Sequence, residues 1–417
     1  MAATTAHGAT EAGISARGRW GRLLLACWAV LINSWAWTMI APLGPAEISD
    51  IELTGAERTV LVAVPLLTGA FGAVPIGAMT DRHGGQTMFP VVSFLAFFPT
   101  LYLAFMDDSF TFMVAGALVL GAAGTALAVA VPAVAAWFEP SRRGLVTGIV
   151  GAATGGVALS ALATPPLVGA IGRTATFLFL AALLLVTGVV TLLCSRDAPG
   201  MGTTDEVVWE RVRYAREREA TRRVWPPYAL AFGGFLAMVI YLPAYLRNVH
   251  GTAPRDAVVH AGAFAVAAVA ARPLGGYLGD RFGPRPVLIA GFGAAAALTL
   301  AAALDTDAGA AATITFVLLA FALGLAAGAA CTLMTQMVEP RDLGVTTGLA
   351  TAAAVLTGLV MAVLMGAAQV LTDSYLIGLL ILAVAALAAA LAGAAAPGRR
   401  PPGRREPAEP RSRGERA

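Results

Sequence analysis

Hydrophobic positions fall in long unbroken runs along this chain, and polar residues are concentrated at the breaks between them. The runs lie at 23–45, 58–79, 87–105, 110–137, 144–168 and 174–194, then resume at 227–247, 256–279, 286–304, 310–337, 344–369 and 374–396. A helix needs about 20 apolar residues to cross a bilayer. The pattern therefore predicts an all-α membrane protein with twelve transmembrane helices, six on each side of a polar break. The expected organisation is an N-terminal segment 1–22, a first half 23–194, a linker 195–226, a second half 227–396 and a tail 397–417. The tail is rich in Pro, Arg and Glu and is expected to be disordered. The first run is too long, and lacks the small-residue cleavage site, for a removed signal peptide.

The halves repeat one another. Gly77-Ala78-Met79-Thr80-Asp81-Arg82-His83-Gly84 returns 199 positions later as Gly276-Tyr277-Leu278-Gly279-Asp280-Arg281-Phe282-Gly283. Glu139-Pro140-Ser141-Arg142-Arg143-Gly144 returns 200 positions later as Glu339-Pro340-Arg341-Asp342-Leu343-Gly344. Parallel repeats of membrane helices are a construction of secondary transporters, with the substrate site at the seam between the copies. The repeated loops are candidate gating elements: Gly77, Asp81, Arg82, Gly84, Arg142 and Arg143 in one half, Gly276, Asp280, Arg281, Gly283, Arg285 and Arg341 in the other. In the outward-facing state, Asp81 and Asp280 are each expected to meet a basic residue or a helix terminus of their own half, the basic candidates being Arg142 or Arg143 for Asp81 and Arg341 for Asp280.

Composition supports the membrane reading, with 58% hydrophobic and 13% charged residues and a mean hydropathy of +0.75. A soluble domain is about half apolar and a quarter charged. All 28 basic residues are arginine. With the N-terminus inside, the short inner loops hold Arg82, Arg142, Arg143, Arg281, Arg285 and Arg341, which the positive-inside rule favours. Both termini are thus expected in the cytoplasm and the protein in the cytoplasmic membrane.

The stretch Trp209-Glu210-Arg211-Val212-Arg213-Tyr214-Ala215-Arg216-Glu217 reads as a solvated linker helix, or else as a surface helix touching anionic lipid. Three scattered cysteines and four scattered histidines suggest no disulfide framework and no metal site. No nucleophile, acid–base pair or cofactor motif points to an enzyme. The expected partners are a small anionic solute and the bilayer, with no nucleic acid, and the carrier is expected to act as a monomer.

Arg272 is the one arginine in the interior of an apolar run, eight residues before Asp280 and so about 12 Å deeper along a helix. Its insertion cost, at least about 2.5–3.5 kcal/mol, marks a functional candidate. No Asp or Glu lies mid-span to neutralise it. A guanidinium without a counter-ion suits an anion that accepts a planar two-pronged bond. Asn33 and Trp37 share a face of the first span at i,i+4 spacing and are further pore candidates, as are Phe235 and Tyr241 of the seventh.

The Gly-x-x-x-Asp-Arg-x-Gly loops resemble the signature loop of the major facilitator superfamily, and the likeness covers about residues 20–396. The first copy carries Gln86 where the pattern has a basic residue; the second keeps Arg285. Longer stretches resemble the nitrate/nitrite porter family: Trp37-Thr38-Met39-Ile40-Ala41-Pro42, Trp137-Phe138-Glu139-Pro140, Phe232-Gly233-Gly234-Phe235 with Tyr241-Leu242-Pro243, and Ala271-Arg272-Pro273-Leu274-Gly275. The resemblance implies the major facilitator fold, alternating access and Arg272 as a substrate ligand. Two positions depart from that family. Ala73 stands where it has a second arginine, and Thr154 where it has an asparagine. A nitrate/nitrite-porter-like anion carrier is the leading expectation. A small monocarboxylate or organic-acid porter, a metabolite or drug efflux carrier and, remotely, a non-transporting membrane receptor stay open.

Overall fold

A computed structural model describes residues 16–43, 53–106, 109–198, 201, 207–304 and 310–395. The tail 397–417, most of the segment 1–22 and part of the linker lie outside the described residues. Ten helices are each long and apolar enough to cross a membrane. The longest, Gly55–Leu103, is two spans joined at Gly84, whose φ of 78° breaks the helix; Ala16–Thr38, 23 residues long, is less apolar than these and is the remaining helix of the bundle. The spans are α1 (Ala16–Thr38), α2 (55–83), α3 (85–103), α4 (Phe110–Ala135), α5 (Pro140–Ile171), α6 (Arg173–Cys194), α7 (Glu219–His250), α8 (Pro254–Phe282), α9 (Pro284–Leu304), α10 (Ala310–Met337), α11 (Pro340–Thr372) and α12 (Leu376–Ala395). Twelve helices in two six-helix halves agree with the hydrophobic pattern, and the described residues include no strand. Large apolar side chains such as Phe71, Phe98, Leu193 and Leu371 remain exposed on the outside of the bundle. In a membrane these positions meet lipid, and only the inner faces need packing.

Polar side chains bind helices together inside each half. In the first, α1 is the hub: Trp35 donates to Thr164 of α5 at 2.9 Å, Trp28 to Thr187 of α6 at 2.9 Å and Asn33 to Ser93 of α3 at 3.1 Å. Such interhelical bonds contribute about 0.6 kcal/mol each on average.

Between the halves two seams run, α2 against α11 and α5 against α8. Glycine makes both possible. A Cβ on Gly77 would overlap the Gly344 carbonyl, and one on Gly276 would overlap that of Gly144. The second pair repeats the first at offsets of 199 and 200, so the two seams are related by the internal symmetry of the sequence. Both close tightly at the arginine-rich end of the bundle, which carries the Asp-Arg loops.

The linker helix, Val208–Glu217, corrects the sequence reading. It is neither a solvated tether nor laid out toward lipid. Val208, Val212 and Ala215 pack on Ala78 of α2 and on Val345 and Leu349 of α11, so the helix covers that seam. Upstream, Asp197 accepts from the Gln86 amide at 2.9 Å and caps the start of α3. Partial burial raises its carboxyl above the usual range, and the Gln86 and Gly85 amides oppose the shift. An acid at the start of a helix complements its dipole. The second half uses the opposite charge at the equivalent place. Arg285 donates to the Gly393 and Ala394 carbonyls at 2.7 and 2.6 Å, at the end of α12. The contact in the first half uses only the backbone of Gln86, whereas that in the second uses the Arg285 side chain.

Candidate functional site

Arg272 is 2% exposed, at the level where α8 leans on α5. There α5 departs from α-helical geometry in a short 3₁₀ turn at Ala153–Gly155. Such a break frees backbone acceptors and is a pointer to a binding site in carriers. Nη1 of Arg272 donates to the Gly151 carbonyl at 2.7 Å and to the Thr154 hydroxyl. Thr154 donates in turn to the Gly151 carbonyl at 2.8 Å. The guanidinium lies 4.8 Å from the centroid of the Phe232 ring and 5.5 Å from that of Phe235. Phe232, Phe235 and Phe264 form a stacked series behind it. Cation–π contact of this kind favours a desolvated arginine by about 2 kcal/mol.

One edge of the group is left open. Nε and Nη2 of Arg272 are buried and have no hydrogen-bond partner, and the buried Tyr228 hydroxyl is equally unpartnered. Tyr228 lies within electrostatic reach of Arg272. Among the described residues no carboxylate pairs with Arg272. Unsatisfied buried donors cost about 1–3 kcal/mol each, and more when charged. Nε and Nη2 form the side-on fork of a guanidinium, the edge that grips a planar oxyanion with two parallel bonds.

Other sequence candidates have different surroundings. Thr154 and Phe235 join Arg272 as described. Asn33 donates to Ala29 and Ser93, leaving its carbonyl oxygen unpartnered, and the Trp37 indole donates to the Pro65 carbonyl at 2.8 Å. Both side chains thus hold α1 to neighbours in its own half. Tyr241 belongs to a cluster with Tyr245 and Tyr375, where its hydroxyl donates to the Tyr375 carbonyl at 3.2 Å. Ala73 is fully buried with its carbonyl against Gly348. It is the repeat mate of Arg272, whose carbonyl lies against Gly148 in the other seam. Two residues were missed: Tyr228 and Phe232. They precede Phe235 at seven and three residues, so they share its helix face, a spacing visible in the sequence.

The loop aspartates meet helix termini, one of the two expected kinds of partner, but in the opposite half, which corrects the expected pairing. Asp81 of α2 accepts from the Gly344 and Val345 amides at 2.7 and 2.8 Å, which begin α11 of the other half. Asp280 of α8 accepts from the Gly144 and Leu145 amides at 2.9 and 2.8 Å, which begin α5. Each carboxylate crosses a seam to a helix N-terminus and does not meet an arginine loop of its own half. Free amides and the helix dipole at that end make it a ready anion acceptor. The arginines are used locally: Arg143 donates to the Phe138 carbonyl at 3.1 Å, Arg281 to the Tyr277 hydroxyl at 3.3 Å, and Arg341 pairs with Glu339 at 2.9 Å. Arg142 lines a surface cavity with Asp280, and Arg82 is half-buried. Gly84 and Gly283 hold positive φ angles of 78° and 87° at the loop turns.

Comparison with known proteins agrees with this architecture. A family model described as Major Facilitator Superfamily matches residues 26–262 and 257–416. A protein of Mycobacterium tuberculosis named "Probable nitrate/nitrite transporter NarK2" is 38% identical over 373 residues, 89% of this chain and 94% of the relative. The "Nitrite extrusion protein" of Bacillus subtilis is 28% identical over 61% of this chain and 63% of its own length. Among solved structures, the fucose:proton symporter FucP of E. coli superposes with a TM-score of 0.71 at 14% identity, covering 89% of this chain and 97% of that one.

Proposed function

Because this chain belongs to the major facilitator superfamily and, within it, to the nitrate/nitrite porters, we propose that it carries a small planar anion by alternating access, with nitrate or nitrite as the leading substrates. The open edge of Arg272 is the observation that carries this reading. A planar oxyanion on Nε and Nη2 would satisfy both donors, take a bond from Tyr228 and lie beside the Phe232 ring. The bonds made by Nη1 to Gly151 and Thr154 fix the fork in place, so little ordering remains for the anion to induce. A carrier whose site is formed between α5, α7 and α8 can present it to either side when the halves 23–194 and 227–396 rock.

The reading includes a cytoplasmic membrane location, with the arginine-rich end and both termini inside, and a carrier acting as a monomer. The lone arginine supports a second reading. With Ala73 in place of another cation, a small monocarboxylate, with one charge and an apolar side, is the competing cargo. Purified carrier in liposomes, tested with labelled nitrate, nitrite, formate and lactate, separates the two. Uptake of the inorganic anions alone supports the leading reading, carboxylates alone the second, and transport of none of them overturns both.

Tyr228→Phe removes one hydrogen bond and keeps the ring. Bonds to charged partners are worth about 1.5–3 kcal/mol, so the anion's Kd is expected to rise at least tenfold, measured by calorimetric titration. An unchanged Kd would remove Tyr228 from the site.

Asp280→Asn keeps the shape of the seam contact but replaces a charge-assisted acceptor by a neutral one. The transport rate is expected to change severalfold while equilibrium affinity, measured on the purified carrier, changes less. Identical rates for wild type and variant would show that this loop does not gate.

A further inference from the structure

At one position of the repeat the two seams carry opposite charges, and the linker helix sits at the seam whose loop is acidic there. Residues 142 and 342 occupy the same position in the repeat. At the α5–α8 seam this position is Arg142, which lines a cavity with Asp280. At the α2–α11 seam it is Asp342, so this seam holds two carboxylates, Asp81 and Asp342, and no loop cation at that position. Arg211 of the linker helix fills the deficit. It is 2% exposed, with Nε 3.7 Å from Asp81 and Nη2 3.2 Å from Asp342, and it also donates to the Arg341 carbonyl. Asp81 belongs to the first half and Asp342 to the second, so one side chain ties both together.

We propose that Arg211 is the gating cation of the α2–α11 seam, supplied by the linker where the loop itself carries Asp342 and the neighbouring Arg341 is exposed and paired with Glu339. The apolar stripe Val208, Val212 and Ala215 seats the helix, and Arg211 lies on the same face, three residues after Val208. When the arginine-rich end opens, Asp81 leaves the start of α11, and Arg211 can then keep at most one of its two carboxylates. The linker is therefore part of the gate: it holds the closed seam shut and must be released for the opposite state. An ionic contact taken out of water is costly to break by removing one partner, since the remaining charges stay buried. Here removal takes the shared cation from Asp81 and Asp342 and leaves Asp342 with Arg341 at 3.9 Å. The inference rests on alternating access and is independent of which anion is carried.

The test uses spin labels on cysteines placed at the exposed residues His83 and Gln336, one on each half at the arginine-rich end, in full-length protein without native cysteines. Double electron–electron resonance in lipid nanodiscs reads the fraction of molecules with that end closed. Arg211→Gln is expected to shift the open-to-closed ratio toward open by about tenfold or more. Adding Asp342→Arg to Arg211→Gln gives this seam the loop cation that the other seam has, and is expected to return the distribution to that of the wild type. Arg211→Gln with Asp342→Asn removes both charges and is expected to lie between them. A wild-type distribution in Arg211→Gln, or equal distributions in the two double variants, overturns the proposal. The double variants keep the comparison decisive if Arg211→Gln does not accumulate as folded protein.

Discussion

Arg272→Lys is expected to abolish anion binding while the carrier stays folded and inserted. Lysine keeps the charge but presents a single ammonium in place of the planar fork. It cannot hold Gly151 and Thr154 with one face of the group while offering two parallel donors on the other. With about 1.5–3 kcal/mol per charged hydrogen bond, losing both anion bonds raises Kd by at least about a hundredfold. Arg272→Met goes further and separates binding from stability. It removes a buried cation with two unsatisfied nitrogens, so the variant is expected to melt no earlier than the wild type in the absence of anion. It loses the rise in melting temperature that a bound anion gives by mass action. Thermal unfolding in detergent with and without nitrate, nitrite and formate checks both halves of this expectation. Wild-type affinity in Arg272→Lys would end the fork model.

Gly276→Val is expected to stop transport without destroying the site. A side chain there overlaps the backbone of Gly144, and backbone cannot swing aside as a flexible side chain would. Overpacking costs about 1–3 kcal/mol, and contact with a rigid helix puts this case at the upper end. The penalty falls only on the state in which α5 and α8 meet at the arginine-rich end. A bias of about 3 kcal/mol lowers that state's population more than a hundredfold relative to the other. Liposome uptake should fall accordingly, while the spin-label distances described above shift toward the open form. Gly276→Ala, with a smaller intrusion, should give a graded effect. Normal uptake in Gly276→Val would show that this seam does not need to close for turnover.

The loop that holds Gly276 was conspicuous in the sequence, but its partner was not. The 199- and 200-residue offsets identify Asp81 with Asp280 and Gly144 with Gly344 as equivalent positions. They say nothing about whether equivalents meet within a half or across the seams. The acceptors also bind backbone amides, which leave no mark on the pattern of side chains. Asn33 and Trp37 show the same limit from another direction. A polar and an aromatic residue on one helix face look like pore lining, and nothing in their spacing announces the bonds they make to Ser93 and Pro65 of their own half.

What the amino-acid sequence determined by itself is the part written in local physical chemistry. Twelve apolar runs must be twelve spans, because a backbone in lipid has to satisfy its own hydrogen bonds. A repeat at constant offset makes two like halves. Arg272 is legible because a charge inside an apolar run violates the rule that surrounds it and so needs a separate reason. Tertiary structure alone decided which groups converge on that charge and which edge of it stays open. Tyr228 and Phe232 come from α7 and Gly151 and Thr154 from a broken turn of α5, and their meeting with α8 is set by how helices pack across the halves. It also decided that Arg211, one of many arginines in a mixed-charge linker, is a buried bridge. Asp81 and Asp342 are 130 and 131 residues away on either side in sequence, and only the closed seam brings the two carboxylates together around it.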